Sequence, residues 1–177
     1  MKKIDLITMG IDRISGSPVV FLKIEKTKMA LPIVIGTCEA SVLAMAIQGE
    51  KFERPLSYDI IKILIEEHNS TISQVIIDDF KNNIYFSKLV LKKENNESVY
   101  IDCRPSDALI LSVKNQLPIF VKEEIAFENS IEAQFLTEKG EKEESFDDFN
   151  IDELKKKFFE ENKNNNDEEN KDEKWFY

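Results

Sequence analysis

The order of the predicted helices and strands along the chain restricts its fold more than any other feature. Segments rich in β-branched and aromatic residues alternate with helix patterns in the order strands, helix, helix, strands, helix, strand. A doubly wound parallel sheet requires a regular alternation of strand and helix, and this chain lacks it. The order therefore predicts an α+β fold with a mixed, largely antiparallel sheet or partial barrel and three main helices.

Short polar turns indicate which of the predicted strands pair with each other. A turn at residues 15–18 joins the first two strands into a predicted β-hairpin, and short turns in residues 72–103 predict an antiparallel meander of three strands. The predicted strands cover residues 4–14, 19–25, 31–35, 72–80, 84–93, 98–103 and 117–121. The predicted helices cover about 38–48, 57–68 and 106–115. The first helix is apolar on nearly every side, so we expect it to be buried, with Thr37 as its cap.

Charge separates the chain into two regions. Residues 1–130 contain 16 Lys and Arg against 18 Asp and Glu, whereas residues 131–177 contain 8 against 16. We predict a folded domain over residues 1–129 and an acidic, mostly flexible tail over residues 130–177, with a short helix at 151–161. The nearly neutral domain has no overall attraction for nucleic acid.

The sequence also gives expectations about location. No stretch of 18 or more residues is free of charged and helix-breaking residues, so we predict no membrane span. The N-terminus lacks the apolar stretch of a signal peptide, and two cysteines form no metal-binding pattern. We therefore expect an intracellular, cytoplasmic protein.

Two short segments are near copies of each other, and each begins a predicted helix. The first starts with Arg54-Pro55-Leu56-Ser57 and the second with Arg104-Pro105-Ser106-Asp107. Pro, Ser and an acidic residue are common in the first turn of a helix. The preceding Arg is not needed for capping, and a guanidinium beside open amide groups can hold a phosphate or a carboxylate.

These motifs, taken together, resemble the bifunctional nuclease family over about residues 4–127. The residues that carry the resemblance occur in the family's order, and they are residues 31–36, Glu39-Ala40, Arg54-Pro55 with Ser57 and Asp59, residues 102–108, and residues 117–121. The resemblance implies an α+β fold, a homo-oligomer, and degradation of both DNA and RNA. Family members usually have His at the position of Tyr58, which we interpret here as a packing residue.

Hydrolysis of a phosphodiester needs an activated water, neutralisation of the phosphate and help for the leaving oxygen, and carboxylate-bound Mg²⁺ or Mn²⁺ can supply all three. We expect such an ion and no organic cofactor. The candidate catalytic residues are Glu39, Asp59, Asp102 and Asp107, and the candidate substrate-binding residues are Arg54, Arg104, Ser57 and Ser106. The hypothesis requires that Arg54, Asp102, Arg104 and Asp107 face one open pocket.

Structural roles compete with each of these assignments. Asp59 and Asp107 can stabilise helix starts, and Arg104 can form an internal ion pair with Asp102 or Glu39. The leading hypothesis is a nuclease of low sequence specificity acting on DNA, RNA or both. The alternatives are a non-catalytic oligomeric domain that binds a small anion or a partner protein, and an adaptor whose acidic tail recruits a basic partner.

Overall fold

The computed structural model describes residues 1–12, 15–50 and 52–132. Within these residues the chain forms eight strands and four helices. In chain order they are β1 Lys2–Ile11, β2 Pro18–Ile24, β3 Met29–Val34, α1 Thr37–Ile47, α2 Ser57–Glu67, β4 Ser70–Lys81, β5 Ile84–Lys93, β6 Ser98–Cys103, α3 Pro105–Asn115, β7 Ile119–Val121, α4 Glu123–Glu128 and β8 Ile131–Glu132.

The strands form one mixed sheet in the order β6-β5-β4-β7-β1-β2-β3-β8. Only β4 and β7 run parallel among the described strand pairs, and the other neighbours are antiparallel. The sheet is open, with β6 and β8 at its edges, so the predicted α+β class and mixed sheet are confirmed. The short strand β7 joins the two halves of the sheet because it pairs with β4 on one side and β1 on the other.

The predicted hairpin and meander are confirmed by the strand pairing. β1 pairs with β2, and β5 pairs with both β4 and β6, all antiparallel. The turn between β4 and β5 contains Asn82 and Asn83, both with positive φ, at 52° and 61°. Asn tolerates this left-handed conformation, which two-residue hairpin turns require at both positions. The sequence therefore determined this connection locally.

The first helix is less buried than its composition predicts. It buries Ala40, Leu43 and Ala44, while Ile47 remains 44% exposed. The reason is that α1 packs against α3 on one side, and α3 is the helix that packs against β4 and β5. The predicted cap was also wrong, since α1 begins at Thr37 with Gly36 as its N-cap.

Two described elements were not predicted from the sequence. They are the short helix α4 and the strand β8, which pairs with β3 and extends the sheet to Glu132. The sheet thus passes the expected boundary at residue 129. The predicted helix at 151–161 lies outside the described residues. None of the described helices has the length and apolar character that crossing a membrane would demand.

Candidate active site

Helices α1 and α3 lie side by side and point in the same direction. Their N-caps, Gly36 and Arg104, line one groove, and residues at their C-terminal ends, such as Met45 and Gln116, line a separate cavity. We call the first the Arg104 groove and the second the Arg54 cavity. Neither N-cap side chain bonds to the amides of its helix. Two helix starts with open amide groups therefore meet at the Arg104 groove, where the helix dipoles favour an anion.

A cluster of three charged side chains lies at this end of the helices. The Arg104 Nε atom is 2.9 Å from Asp107 Oδ2, and the Arg104 Nη2 atom is 2.9 Å from Glu39 Oε1. The Arg104 side chain is 67% exposed, against 17% for Glu39 and 29% for Asp107. Two largely covered carboxylates thus hold a guanidinium that still faces solvent.

The carboxylate of Glu39 lies directly against Gly36. A Cβ atom built on Gly36 would be 2.3 Å from Glu39 Oε2, which is far inside van der Waals contact. Gly36 has φ −71° and ψ 157°, a conformation open to any residue, so a side chain at this position would conflict only with the Glu39 carboxylate, which would have to move. No hydrogen bond reaches Glu39 Oε2 from the residues that the structure describes. The steric role of Gly36 was not predicted from the sequence, although Gly36 belongs to the segment 31–36 that carries the family resemblance.

Tyr58 joins the cluster through its hydroxyl group. Its OH donates a hydrogen bond of 2.8 Å to Asp107 Oδ1. Burial and the hydrogen bond to Asp107 raise the pKa of Tyr58 well above its usual value, so the group stays protonated at neutral pH. Tyr58 does pack against the core, as expected, but sequence reasoning missed the hydrogen bond. At the position where the resemblance leads one to expect His, this chain has a hydrogen-bond donor. We use the name Arg104 cluster for Glu39, Tyr58, Arg104 and Asp107.

Replacing Tyr58 with Phe tests this hydrogen bond through its pH dependence. We expect the free energy of unfolding of Tyr58→Phe to be about 1 kcal/mol lower at pH 7, because a bond to a carboxylate is lost. The folded protein holds the phenol proton more tightly than the unfolded chain, whose tyrosine titrates at about pH 10. The hydrogen bond therefore contributes its full share of the free energy of unfolding below that pH, and this share is lost as the pH rises above it. Urea titrations should show a smaller difference in the free energy of unfolding between the wild type and Tyr58→Phe at pH 11 than at pH 7. An unchanged difference would contradict the assignment.

Asp59 is held in a different contact. Lys114 Nζ is 2.8 Å from Asp59 Oδ1, and the Leu56 N–H donates to Asp59 Oδ2 at 2.9 Å. Burial acts to raise the pKa of Asp59, but the hydrogen bonds from Lys114 and Leu56 outweigh it and lower the pKa. Asp59 thus stabilises the start of α2 and ties it to the end of α3. The structure does not bring it to the Arg104 cluster.

Arg54 lies in the Arg54 cavity, a space of ≈ 590 Å³ whose lining includes Lys114, Glu50 and Glu53. The helices α1 and α3 end here and α2 begins here, so the positive end of one helix dipole lies against the negative ends of two. Arg104 and Lys114 are ten residues apart on α3, which corresponds to about 15 Å along the helix. The expectation that Arg54 and Arg104 share one pocket is therefore not met, because the two near-identical motifs begin helices whose starts lie at different places.

Asp102 projects from the other face of the sheet. In the β5–β6 pairing, Cys103 is opposite the buried Ser87, so Asp102 lies with Lys88 on the opposite face. Lys88 forms an ion pair with Asp78, and the pKa of Lys88 is raised by Asp78 first and by Asp102 to a smaller degree. Asp102 is thereby separated from Arg104, although the two are close in sequence.

The two candidate serines also separate. Ser106 is buried, at 7% exposure, and lines the Arg104 groove at the start of α3. Ser57 is exposed at the start of α2 and lines neither the Arg104 groove nor the Arg54 cavity. The structure thus brings together Glu39, Arg104, Asp107 and Ser106 from the predicted set.

The donor set at the cluster fits a divalent cation only with help from a substrate. Within the described ranges, no group of three Asp, Glu, His or Cys side chains is placed to hold a metal ion. Two carboxylates, Glu39 and Asp107, lie together on Arg104. Mg²⁺ is commonly bound by one or two carboxylates, with substrate phosphate oxygens and water as the other ligands. These two residues meet that smaller requirement.

Comparison with known proteins is consistent with the geometry. The family model of the Bifunctional nuclease domain matches residues 20–134, which contain the Arg104 cluster. An uncharacterized protein of Mycobacterium tuberculosis is 26% identical over 125 residues, covering 71% of this chain and 74% of the relative. Bifunctional nuclease 1 of Arabidopsis thaliana is 29% identical over 117 residues, covering 64% of this chain and 36% of the relative. Bifunctional nuclease 2 of Oryza sativa subsp. japonica is 30% identical over 117 residues, covering 64% and 36%.

Proposed function

Since the chain belongs to the bifunctional nuclease domain family, we propose that it is a nuclease that hydrolyses DNA, RNA or both with low sequence specificity. The four-residue pocket that the sequence hypothesis required is not formed, because Arg54 and Asp102 lie elsewhere, so we place the reaction at the Arg104 cluster alone. The observation that carries the proposal is the solvent-facing guanidinium of Arg104, held by Glu39 and Asp107 at two uncapped helix starts. The names of the plant relatives point to the same reaction.

Binding of the phosphodiester follows from the charges at the groove. A bound phosphate would accept hydrogen bonds from Arg104 and from the open amides at the starts of α1 and α3. The same donors would neutralise the charge that develops on the phosphoryl oxygens in the transition state. Asp107 keeps Arg104 in place, and the hydroxyl of Tyr58 keeps Asp107 in place.

Proton transfer is assigned to Glu39. Its Oε1 atom is ion-paired with Arg104, and its Oε2 atom, which has no hydrogen-bond partner among the described residues, is assigned to take a proton from an attacking water. The oxygen of that water forms the new bond to phosphorus, and the bond to the leaving sugar oxygen breaks. The oxygens of Glu39 and Asp107 that do not take this proton would hold Mg²⁺ or Mn²⁺, which would lower the pKa of a bound water and stabilise the leaving oxygen.

The test uses cleavage of labelled single-stranded DNA, duplex DNA and RNA by highly purified protein. We expect cleavage to stop in EDTA and to return with Mg²⁺ or Mn²⁺. Cleavage that persists unchanged in EDTA would contradict the metal-dependent part of the proposal. No cleavage of any substrate, in the presence of either ion, would contradict the proposed function.

The matched variant for this assay is Gly36→Ala, which changes no charge. Its added Cβ must displace the Glu39 carboxylate, whose end is flexible, so we expect at least about a 10-fold loss of cleavage. Alanine in place of glycine at an N-cap costs about 0.5–1 kcal/mol, so the melting temperature should fall by only a few degrees. Equal activity of the variant and the wild type would show that the cleavage comes from a contaminant or that Glu39 takes no part.

We further propose that the protein is a homo-oligomer that associates through α2. This helix buries none of its residues, and it exposes four large aliphatic side chains by 39–54%, namely Ile60, Ile61, Ile63 and Leu64. A contiguous apolar surface of this kind marks an interaction site. Light scattering coupled to gel filtration should give a multiple of 20.5 kDa for the wild type and a smaller assembly for Leu64→Glu. A monomeric wild type would refute the proposal.

A further inference from the structure

The Arg104 groove has an apolar and aromatic wall that the proposed hydrolysis does not use. The groove has a volume of ≈ 470 Å³, within the range of ligand sites. One side is formed by Arg104 and the start of α3, and the other by the turn between β4 and β5. The turn contributes Asn83, and the strand ends beside it contribute Phe80 and Tyr85, whose ring centroids are 4.4 Å apart. Residues 32–36 also line the groove.

Part of the apolar wall is open to solvent. Ile84 is 59% exposed and Val34 is 65% exposed, and both line the groove. Tyr85 is partly covered, which holds its ring in place against Phe80. A fixed aromatic ring beside a cation that binds phosphate is the combination by which proteins hold unpaired bases.

We propose that the Arg104 groove binds single-stranded nucleic acid, with one unpaired base stacked against Tyr85 while Arg104 holds an adjacent phosphate. The inference rests on the proposed function for the assignment of Arg104 to phosphate. Asn83 is placed to hydrogen-bond the edge of the base with its amide. The aromatic residues of the wall come from the β4–β5 hairpin, so this hairpin, and not the Arg104 cluster, selects the form of the substrate.

The charges of the domain favour a single strand over a duplex. Duplex binding is driven by several Lys and Arg residues that neutralise a row of phosphates. The lining of the Arg104 groove contains one cation, Arg104, and residues 1–130 carry two more acidic than basic residues. Affinity must then come from base stacking, and the bases of a duplex have no free faces to stack.

The experiment measures fluorescence anisotropy of a labelled thymidine octanucleotide and of a duplex with one identical strand, in EDTA to prevent cleavage. We expect the single strand to bind at least about 10-fold more tightly than the duplex. Thymidine monophosphate should compete weakly, since it offers a single nucleotide. Tighter binding of the duplex, or equal binding of the monophosphate and the octamer, would overturn the inference.

The decisive variant is Tyr85→Leu, which keeps the apolar bulk and removes the aromatic face. It should weaken single-strand binding by about 5- to 100-fold, and Tyr85→Phe should bind within about 2-fold of the wild type. The matched control is Tyr100→Leu, because Tyr100 is 59% exposed on the other face of the sheet. If Tyr85→Leu and Tyr100→Leu bind alike, with both folded by circular dichroism, the assignment of the base to Tyr85 is wrong.

The two proposals fail in different ways. Cleavage with a preference for duplex would refute the single-strand inference and leave the nuclease assignment in place. Binding of the single strand that depends on Tyr85 and Arg104, without cleavage of any substrate, would support the groove and refute the nuclease assignment.

Discussion

Arg104→Ala should abolish most cleavage, with a rate at least about 100-fold below that of the wild type, because the donor aimed at the phosphoryl oxygens is removed. The exposed end of the guanidinium and the open amides of α1 and α3 meet at the same groove. Removal of the cation also leaves Glu39 and Asp107 adjacent without a positive charge, which opposes the approach of a phosphate. The loss should therefore appear in both the turnover rate and the substrate affinity.

The chain supplies its own control for this variant. Arg54 has the same sequence context, Arg-Pro, but lines the Arg54 cavity at the opposite ends of α1 and α3. We expect Arg54→Ala to cleave at close to the wild-type rate. Steady-state cleavage and thermal melting, measured for both variants after identical purification, separate a lost site from a lost fold. Equal losses in the two variants would be evidence against a site at Arg104.

Glu39→Gln should lower the turnover rate by about 100- to 10,000-fold, the contribution expected of a general base. The amide has the size of the carboxylate and its oxygen can still face the Arg104 guanidinium, so we expect the groove to keep its shape. What is lost is the ability of the second oxygen to take a proton, along with one charge available to a cation. The KM should change much less than kcat, whereas a role in binding alone would raise the KM.

Glu97→Gln is the matched control for Glu39→Gln. It removes an exposed carboxylate that pairs with Lys93 at the β5–β6 turn, away from the groove. Its turnover rate should equal that of the wild type. If Glu39→Gln retains full turnover, Glu39 is a structural partner of Arg104 and the proton acceptor must be sought elsewhere.

One result would favour the alternative of a non-catalytic domain that binds a small anion. Tyr58 remains protonated at neutral pH, so it offers no base at the position where the resemblance leads one to expect His. A rise in melting temperature with pyrophosphate, lost in Arg104→Ala, would then occur without any metal-dependent cleavage. The adaptor hypothesis concerns the acidic segment after residue 132, which lies outside the described residues, and it stays a prediction.

Local sequence determined the elements and much of their pairing. Alternation of apolar residues and the Asn82-Asn83 turn predicted the β4–β5 hairpin, and Arg104-Pro105 marked the start of α3 correctly within one residue. These features depend on backbone preferences and on contacts within a few residues, which are visible in any short window. The short elements α4 and β8 carry too few residues for a periodic pattern to show.

Which residues lie together at the site depended on packing between segments that are distant in sequence. The two Arg-Pro motifs looked equivalent in sequence, yet only Arg104 begins a helix parallel to α1, while Arg54 precedes a helix whose Asp59 ties it to the far end of α3. Asp102 is close to Arg104 in sequence, but strand alternation places it with Lys88 on the face opposite Cys103, and the chain leaves the sheet at Arg104 to begin α3.

The residues of this chain specified an α+β domain, its hairpins and the chemical types of the candidate site residues. The partnership of Glu39 with Arg104, 65 positions later, and the contact of Tyr58 with Asp107 arose only when α1, α2 and α3 packed together. The physical reason is that backbone preferences act over a few residues, whereas a site is defined by distances of about 3 Å between side chains that long-range burial brings into contact.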